Sequence, residues 1–226
     1  MSEIANIAVI GLTGQSGAGK TTVCQVFKEN GFEVINADLI ARKLMVNGSP
    51  CLNEVIEWFG KDYLDENGEL NRKKLGNAVF SNDEKLKQLN GICYPYITYE
   101  ILTQINKMAE NGKKYVLLDA PTLFESRADD FCKLIISVTA TEKNRIGRLI
   151  ERDNLTLDQV KKRISSQHTE RFFINHSDYI IKNNKTIETL KEKALEVSNK
   201  VKEYFECSYS GWIKISPYLT PSAHSM

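Results

Sequence analysis

The sequence predicts an α/β fold, a parallel sheet of five strands with flanking helices. Three observations carry this. Five short apolar runs punctuate the chain, IAVIGL (7–12), FEVINA (32–37), KYVLLDA (114–120), KLIISVTA (133–140) and DYIIKN (178–183), as strands buried on both faces do. Stretches of helical period separate them, the alternation from which parallel sheets are built. The first run leads directly into a glycine-rich loop and then into a helical pattern.

That loop, Gly14-Gln15-Ser16-Gly17-Ala18-Gly19-Lys20-Thr21, fits G-x-x-x-x-G-K-[ST] at every fixed position. Its glycines permit positive φ and remove the Cβ atoms that would keep a polyphosphate from the backbone N–H groups. Lys20 is expected to reach the β- and γ-phosphates and the Thr21 hydroxyl to hold Mg²⁺, with Thr22 beside them in the nucleotide-binding set. The helix that follows carries Val23, Val26 and Phe27 and closes at Gly31, so its N-terminus meets the phosphate. A dinucleotide fingerprint is excluded, because Thr22 stands where its third glycine belongs. The expected ligand is a nucleoside triphosphate, ATP with Mg²⁺.

Asp38 ends VINAD at the carboxyl edge of the second strand, where open α/β sheets place ligands. It serves there either as a base facing the loop across the crevice or as the N-cap of LIARKL. Arg42, one turn on, pairs with Asp38 or with a phosphate of the acceptor. Roughly 75 residues then precede the third strand, far more than a crossover needs. Helical patterns at 38–46, 51–59, 72–80 and 82–110 make 38–110 an inserted helical subdomain. Within it, Asp65-Glu66-Asn67-Gly68 follows no strand and reads as a polar turn, and Ser81-Asn82-Asp83-Glu84 reads as a capping box.

Asp119 closes YVLLD, either as a carboxylate holding Mg²⁺ or as a strand-end cap. After the fourth strand, TEKNRIGRLIERDN sets Arg145, Arg148 and Arg152 on one helical face, with Ile146, Leu149 and Ile150 on a packing face. Three like charges on one face mean either a solvated surface or an anion between them. Beside this loop, a phosphate-clamping lid over 141–170 is the stronger reading. Gly147 costs that helix about 1 kcal/mol against alanine, which suits an element that moves. A second capping box, Thr156-Leu157-Asp158-Gln159, opens the next helix. The last helix, about 186–206, repeats Ile187, Leu190, Ala194, Val197, Val201 and Phe205 as a packing stripe. The tail, 207–226, has no helical period and is expected to be poorly ordered.

Composition narrows the class. At 226 residues and 42% apolar content, one α/β domain with insertions is the natural size. A net charge of +1 argues against a nucleic-acid or membrane surface. Five cysteines without a C-x-x-C pair, and three histidines without ligand spacing, indicate neither a disulfide framework nor a zinc site. They are expected to be reduced thiols of a cytoplasmic protein. Strand-like sequence begins almost at once, so no leader is expected, and no apolar run approaches the ~20 residues of a membrane span.

A loop of this kind also serves GTPases and motor-type ATPases, but N-K-x-D and L-S-G-G-Q are absent. A small-molecule kinase needs a base, an acceptor pocket and cations that close over the phosphates, and each has a candidate here. The fold class expected is thus a P-loop kinase with an inserted helical substrate-binding subdomain and a helical lid.

The segments GLTGQSGAGKTTV, VINADLIAR, YPYI, LLDAPTLFE, RLIERDNLT, RISSQ and SDYIIKNN, in this order over roughly residues 7 to 190, resemble the dephospho-CoA kinase family. The resemblance implies ATP-dependent phosphorylation of the ribose 3′-hydroxyl of dephospho-coenzyme A, the last step to coenzyme A. It implies Asp38 as the acceptor-facing base, Lys20 and Thr21 on ATP–Mg²⁺, Arg148 and Arg152 as lid arginines, and Tyr94 and Pro121 at the acceptor. Three positions depart from the family pattern. Asn36-Ala37-Asp38 stands where Asp-Ala-Asp is common, Tyr94-Pro95 where His-Pro is usual, and Arg145 where a glutamine is common. A diverged nucleoside or nucleotide kinase and an ATP-gated binding protein are the other two readings. A substrate panel and acceptor-dependent ADP formation separate the three.

Overall fold

The computed structural model describes residues 7–80 and 82–209. In chain order the elements are β1 (Ala8–Gly14), α1 (Lys20–Glu29), β2 (Glu33–Asn36), α2 (Ala37–Leu44), α3 (Pro50–Phe59), α4 (Arg72–Phe80), α5 (Asp83–Glu110), β3 (Tyr115–Asp119), β4 (Leu134–Thr139), α6 (Glu142–Asp153), α7 (Leu157–Ser165), α8 (Glu170–Asn175), β5 (Tyr179–Lys182) and α9 (Ile187–Tyr209). All five expected strands are present, in one sheet ordered β2-β3-β1-β4-β5. The chain divides into two compact units, one of residues up to Leu12 with Glu33–Lys133, the other of Thr13–Phe32 with the residues from Leu134 on.

In the first unit, β3 pairs parallel with β1 (Ile10 opposite Leu117, Leu12 opposite Asp119) and with β2 (Asn36 opposite Asp119). All five residues of β3 are buried, which its unbroken apolar run requires. The helices α2–α5 bury a core of their own, Met45, Cys51, Leu52, Val55, Leu75, Val79 and Ile92. Polar contacts tie these helices together: Arg72 Nη2 donates to the carbonyls of Arg42 and Met45, and Tyr96 Oη donates to Glu54 at 2.9 Å. The Asp65–Gly68 segment is the polar turn expected, with Asp65 Oδ1 accepting from the N–H groups of Asn67 and Glu69. Helix α5 is capped by Asn82, which accepts from Lys85 N–H. Ser81, the cap that the sequence suggests, lies outside the described residues.

In the second unit β4 and β5 pair parallel, Ile136 opposite Tyr179. Helix α1 buries Val23, Val26 and Phe27, and Asn30 at its end donates to Ser198 Oγ and Asn199 Oδ1 of α9. The buried stripe of α9 is Leu190, Ala194, Ser198, Val201 and Phe205. Ile187 is 53% exposed, so the stripe starts a turn later than expected and admits a serine, whose hydroxyl is satisfied by Asn30 and Leu195 O. The capping box on α7 forms as expected between Thr156 and Gln159. The segment 207–226 is helical as far as Tyr209, and its remainder lies outside the described residues.

Helix α6 reverses one expectation. Its buried residues are Arg145 and Leu149, whereas Ile150 is exposed. The face that packs is therefore partly cationic, because what it packs on is backbone carbonyl. Gly147 lies on the open side, where an added Cβ meets nothing within 4 Å. Gly147→Ala is expected to raise stability by about 1 kcal/mol in urea titration, with the m-value unchanged.

Candidate active site

Two groups of side chains stand out, one in each unit. The second unit holds the glycine-rich loop. Gly14 has φ 138°, and a Cβ there would run into the backbone of Val138. Gly19 has φ 101° and caps α1, with room for a Cβ denied by Asn183 Nδ2 and Leu190. Both positions require glycine on sterics alone.

Three successive loop carbonyls are held by side-chain donors. Ser16 O accepts from Arg145 Nε at 2.9 Å, Gly17 O from Arg148 Nη1 at 3.2 Å, and Ala18 O from Asn183 Nδ2 at 2.8 Å. Arg148 Nη2 also reaches Asn183 O and Oδ1, at 3.2 and 3.3 Å. A trans peptide is planar, with N–H and C=O pointing oppositely. Carbonyls turned toward α6 and Asn183 thus turn the N–H groups of Gly17 and Gly19 the other way, at the N-terminus of α1. Donors converging at a helix N-terminus make an anion site. Ala18 N–H takes no part, because it closes a turn onto Gln15 O at 3.1 Å.

The three arginines of α6 have separate tasks. Arg145 is 4% exposed, and burial pulls its guanidinium below the ordinary arginine value, against the opposing effect of Glu142 and Glu170. Its Nη2 donates to Gln167 Oε1 at 2.8 Å, so the buried cation meets two acceptors. Arg148 braces the loop and Asn183, the residue after β5. Arg152 points away into a bidentate pair with Asp153, at 2.7 and 2.8 Å, which Arg163 joins from α7. That pairing raises the Arg152 value and lowers that of Asp153. Lys20 is the first residue of α1, and Thr21, next to it, is exposed.

The first unit holds the carboxylates. Asn36, not Asp38, caps α2: its Oδ1 accepts from Leu39 N–H at 2.8 Å, while its Nδ2 donates to Asp119 Oδ2 at 2.8 Å. One carboxamide performs both tasks, where a carboxylate would cap and repel Asp119. Asp119 is 5% exposed. Asp38 lies exposed in the first turn of α2, and among the described residues no hydrogen bond or ion pair joins it to Arg42, itself exposed. Tyr94 sits on α5 next to Pro95, and burial, with Glu125 and Cys93, pushes its phenol value up. Pro121 follows β3 by two residues and is half-buried.

Sequence reasoning missed Gln167 and Asn183 as site residues. Both stand inside segments that drew notice, RISSQ and SDYIIKNN, but nothing local marks a glutamine or asparagine as a partner of a loop more than a hundred residues away. Among the described residues no group of three or more His, Cys, Asp or Glu is gathered as a metal site.

Comparison with known proteins identifies the family. The sequence model of one family, dephospho-CoA kinase, matches residues 8–189. A dephospho-CoA kinase of Oryza sativa subsp. japonica is 37% identical over 195 residues, covering 86% of this chain and 85% of that one. One of Bacillus cereus (strain ZK / E33L) is 39% identical over 179 residues, 79% of this chain and 90% of its own. Among solved structures, TT1252 of Thermus thermophilus superposes with a TM-score of 0.76 at 25% identity, covering 87% of this chain and 98% of that one. Dephospho-CoA kinase from Campylobacter jejuni does so with a TM-score of 0.65 at 27% identity, over the same shares. With the family model spanning most of the sequence and relatives this similar, the chain belongs to the dephospho-CoA kinase family of P-loop phosphotransferases.

Proposed function

We propose that this protein transfers the γ-phosphoryl group of ATP to the ribose 3′-hydroxyl of dephospho-coenzyme A, giving coenzyme A and ADP. The observation that carries the reading is the loop whose carbonyls are braced from behind, leaving the Gly17 and Gly19 N–H groups directed to the start of α1. Family membership supplies the acceptor. The nucleotide set is Gly14 to Thr22, with Lys20 neutralising charge on the β- and γ-phosphates. Arg148 stays beside the loop as a second cation for the transferred group, and Arg152 exchanges Asp153 for phosphate.

The donors proposed for Mg²⁺ are the Thr21 hydroxyl and the Asp119 carboxylate. Oxygen ligands suit this ion, and so does a small protein contribution, because Mg²⁺ is bound through one or two carboxylates with substrate phosphates rather than in an all-protein cage. When bound it would neutralise charge on the phosphates.

On the acceptor side, Asp38 takes the proton as the ribose oxygen bonds to the γ-phosphorus and the bond to the β–γ bridging oxygen breaks. The support is that Asp38 is exposed while Asn36 does the capping, so the carboxylate is not engaged by its helix. The helical segment 38–110 is proposed to receive the acceptor, with Arg42, Tyr94 and Pro121 contributing. A phenol is protonated at neutral pH even at its ordinary value, and burial pushes Tyr94 further up, so it is a donor in the place where a histidine would titrate. The lid role of 141–170 and a cytoplasmic location belong to the same proposal. The location is supported by five free cysteines, and no described helix is long and apolar enough to cross a membrane.

A coupled ADP-release assay tests the reading directly: ADP is expected with dephospho-coenzyme A and not with adenosine, AMP or uridine. Release with a nucleoside in its place reassigns the acceptor. Lys20→Ala should abolish turnover with an unchanged circular dichroism spectrum, and retained turnover would show that the loop does not bind the transferred phosphate. Asp38→Asn should lower kcat by about 10²–10⁴-fold. Because Asn36 supplies the cap, the melting temperature should hardly move. Wild-type kcat in that variant would place the base elsewhere.

A further inference from the structure

Gln167 follows α7 and lies 151 positions from Ser16, yet its carboxamide is bonded into the loop. Its Oε1 accepts the Ser16 N–H at 3.0 Å and Arg145 Nη2 at 2.8 Å, and its Nε2 donates to Ser16 Oγ at 3.0 Å. Arg145 Nε completes the set on Ser16 O at 2.9 Å. The N–H, carbonyl and hydroxyl of Ser16 are therefore all engaged by two side chains. Only a carboxamide offers an oxygen for two donors and, on the same planar group, a donor for the hydroxyl. The network also fixes its orientation, because a flipped amide would set NH₂ against two donors.

These bonds define peptide planes. The Gln15–Ser16 plane is set from one side by Gln167 on the Ser16 N–H and from the other by Ala18 N–H on Gln15 O, at 3.1 Å. The Ser16–Gly17 plane is set by Arg145 on Ser16 O, and this turns the Gly17 N–H away from α6. Removing Gln167 frees the first plane and takes one of two acceptors from the buried Arg145, which loosens the second.

We propose that Gln167 is a positioning residue for nucleotide binding: with Arg145 it locks two successive peptide planes so that the Gly17 N–H meets the polyphosphate. The proposal rests on the loop binding nucleotide, and it is independent of which acceptor is used. It makes the α7–α8 connection part of the phosphate-binding apparatus, with Arg145, a departure from the family pattern, as the second half of the lock.

The test is ADP binding by isothermal titration calorimetry, with amide exchange of the loop followed by mass spectrometry. Gln167→Ala is expected to weaken ADP about tenfold, the worth of one or two net hydrogen bonds. It should also speed exchange across Ser16–Gly17 and raise the KM for ATP while leaving that for dephospho-coenzyme A unchanged. A folded Gln167→Ala protein with wild-type ADP affinity overturns the proposal, even if its melting temperature falls. Gln167→Glu keeps both accepting bonds, and the serine hydroxyl can turn to donate. It should therefore retain loop protection whether or not the alanine variant folds, and loss of that protection also overturns the proposal. A wild-type protein that binds ADP but phosphorylates no dephospho-coenzyme A ends the acceptor assignment and leaves this inference standing.

Discussion

A phosphate-binding loop has two sides, and the constraint on this fold is that the back must be satisfied before the front can work. Turning N–H groups toward an anion turns carbonyls away from it, and those oxygens cannot be left without donors in a packed interior. Arg145, Arg148 and Asn183 meet that need at Ser16, Gly17 and Ala18. Much else in the second unit follows from them. Helix α6 presents a cationic face inward, α7 ends where Gln167 can reach the loop, and β5 delivers Asn183 against it, at only 6% exposure.

The departures from the family pattern become intelligible as local chemistry. Asn36 joins the α2 cap to Asp119 through one amide group, a task in which a second carboxylate would meet like charge. Tyr94 places a half-buried phenol where an imidazole is usual, exchanging a titrating group for one that stays neutral. Arg145 brings a buried charge to the loop, which is tolerated because a backbone carbonyl and a side-chain amide oxygen receive it. Each change alters hydrogen bonding or charge while leaving the helix or strand that carries it intact.

Periodicity and fixed-spacing motifs act over a few residues, and there the sequence was a reliable guide. The five strands, the loop, α3, α4 and the Thr156–Gln159 capping box stand within a residue or two of their expected places. What stayed hidden depended on partners remote in sequence. Asp38 and Asn36 are both good caps by type, and only the geometry shows that Asn36 takes Leu39 N–H. Ile150 was expected inside and Arg145 on a charged face, because hydrophobicity predicts burial against side chains and α6 packs on carbonyls. The helical spacing of Arg145, Arg148 and Arg152 suggested one shared anion, whereas Arg152 has its own carboxylate in the next residue. Gln167 and Asn183 carry no charge and no pattern, so nothing short of the fold points to them.

The wide sequence separation of the loop's supports bears on how the chain folds as it is made. The loop is made before its side-chain donors, which lie 129, 131, 151 and 165 residues further on. Until Asn183 has left the ribosome, the loop has its glycines and its lysine but lacks the donor to Ala18 O. Contacts of such high sequence separation form late, after the entropy of closing long loops has been overcome. A nascent chain of this protein thus completes the backing of the loop only once the residue that follows β5 docks against Ala18 O.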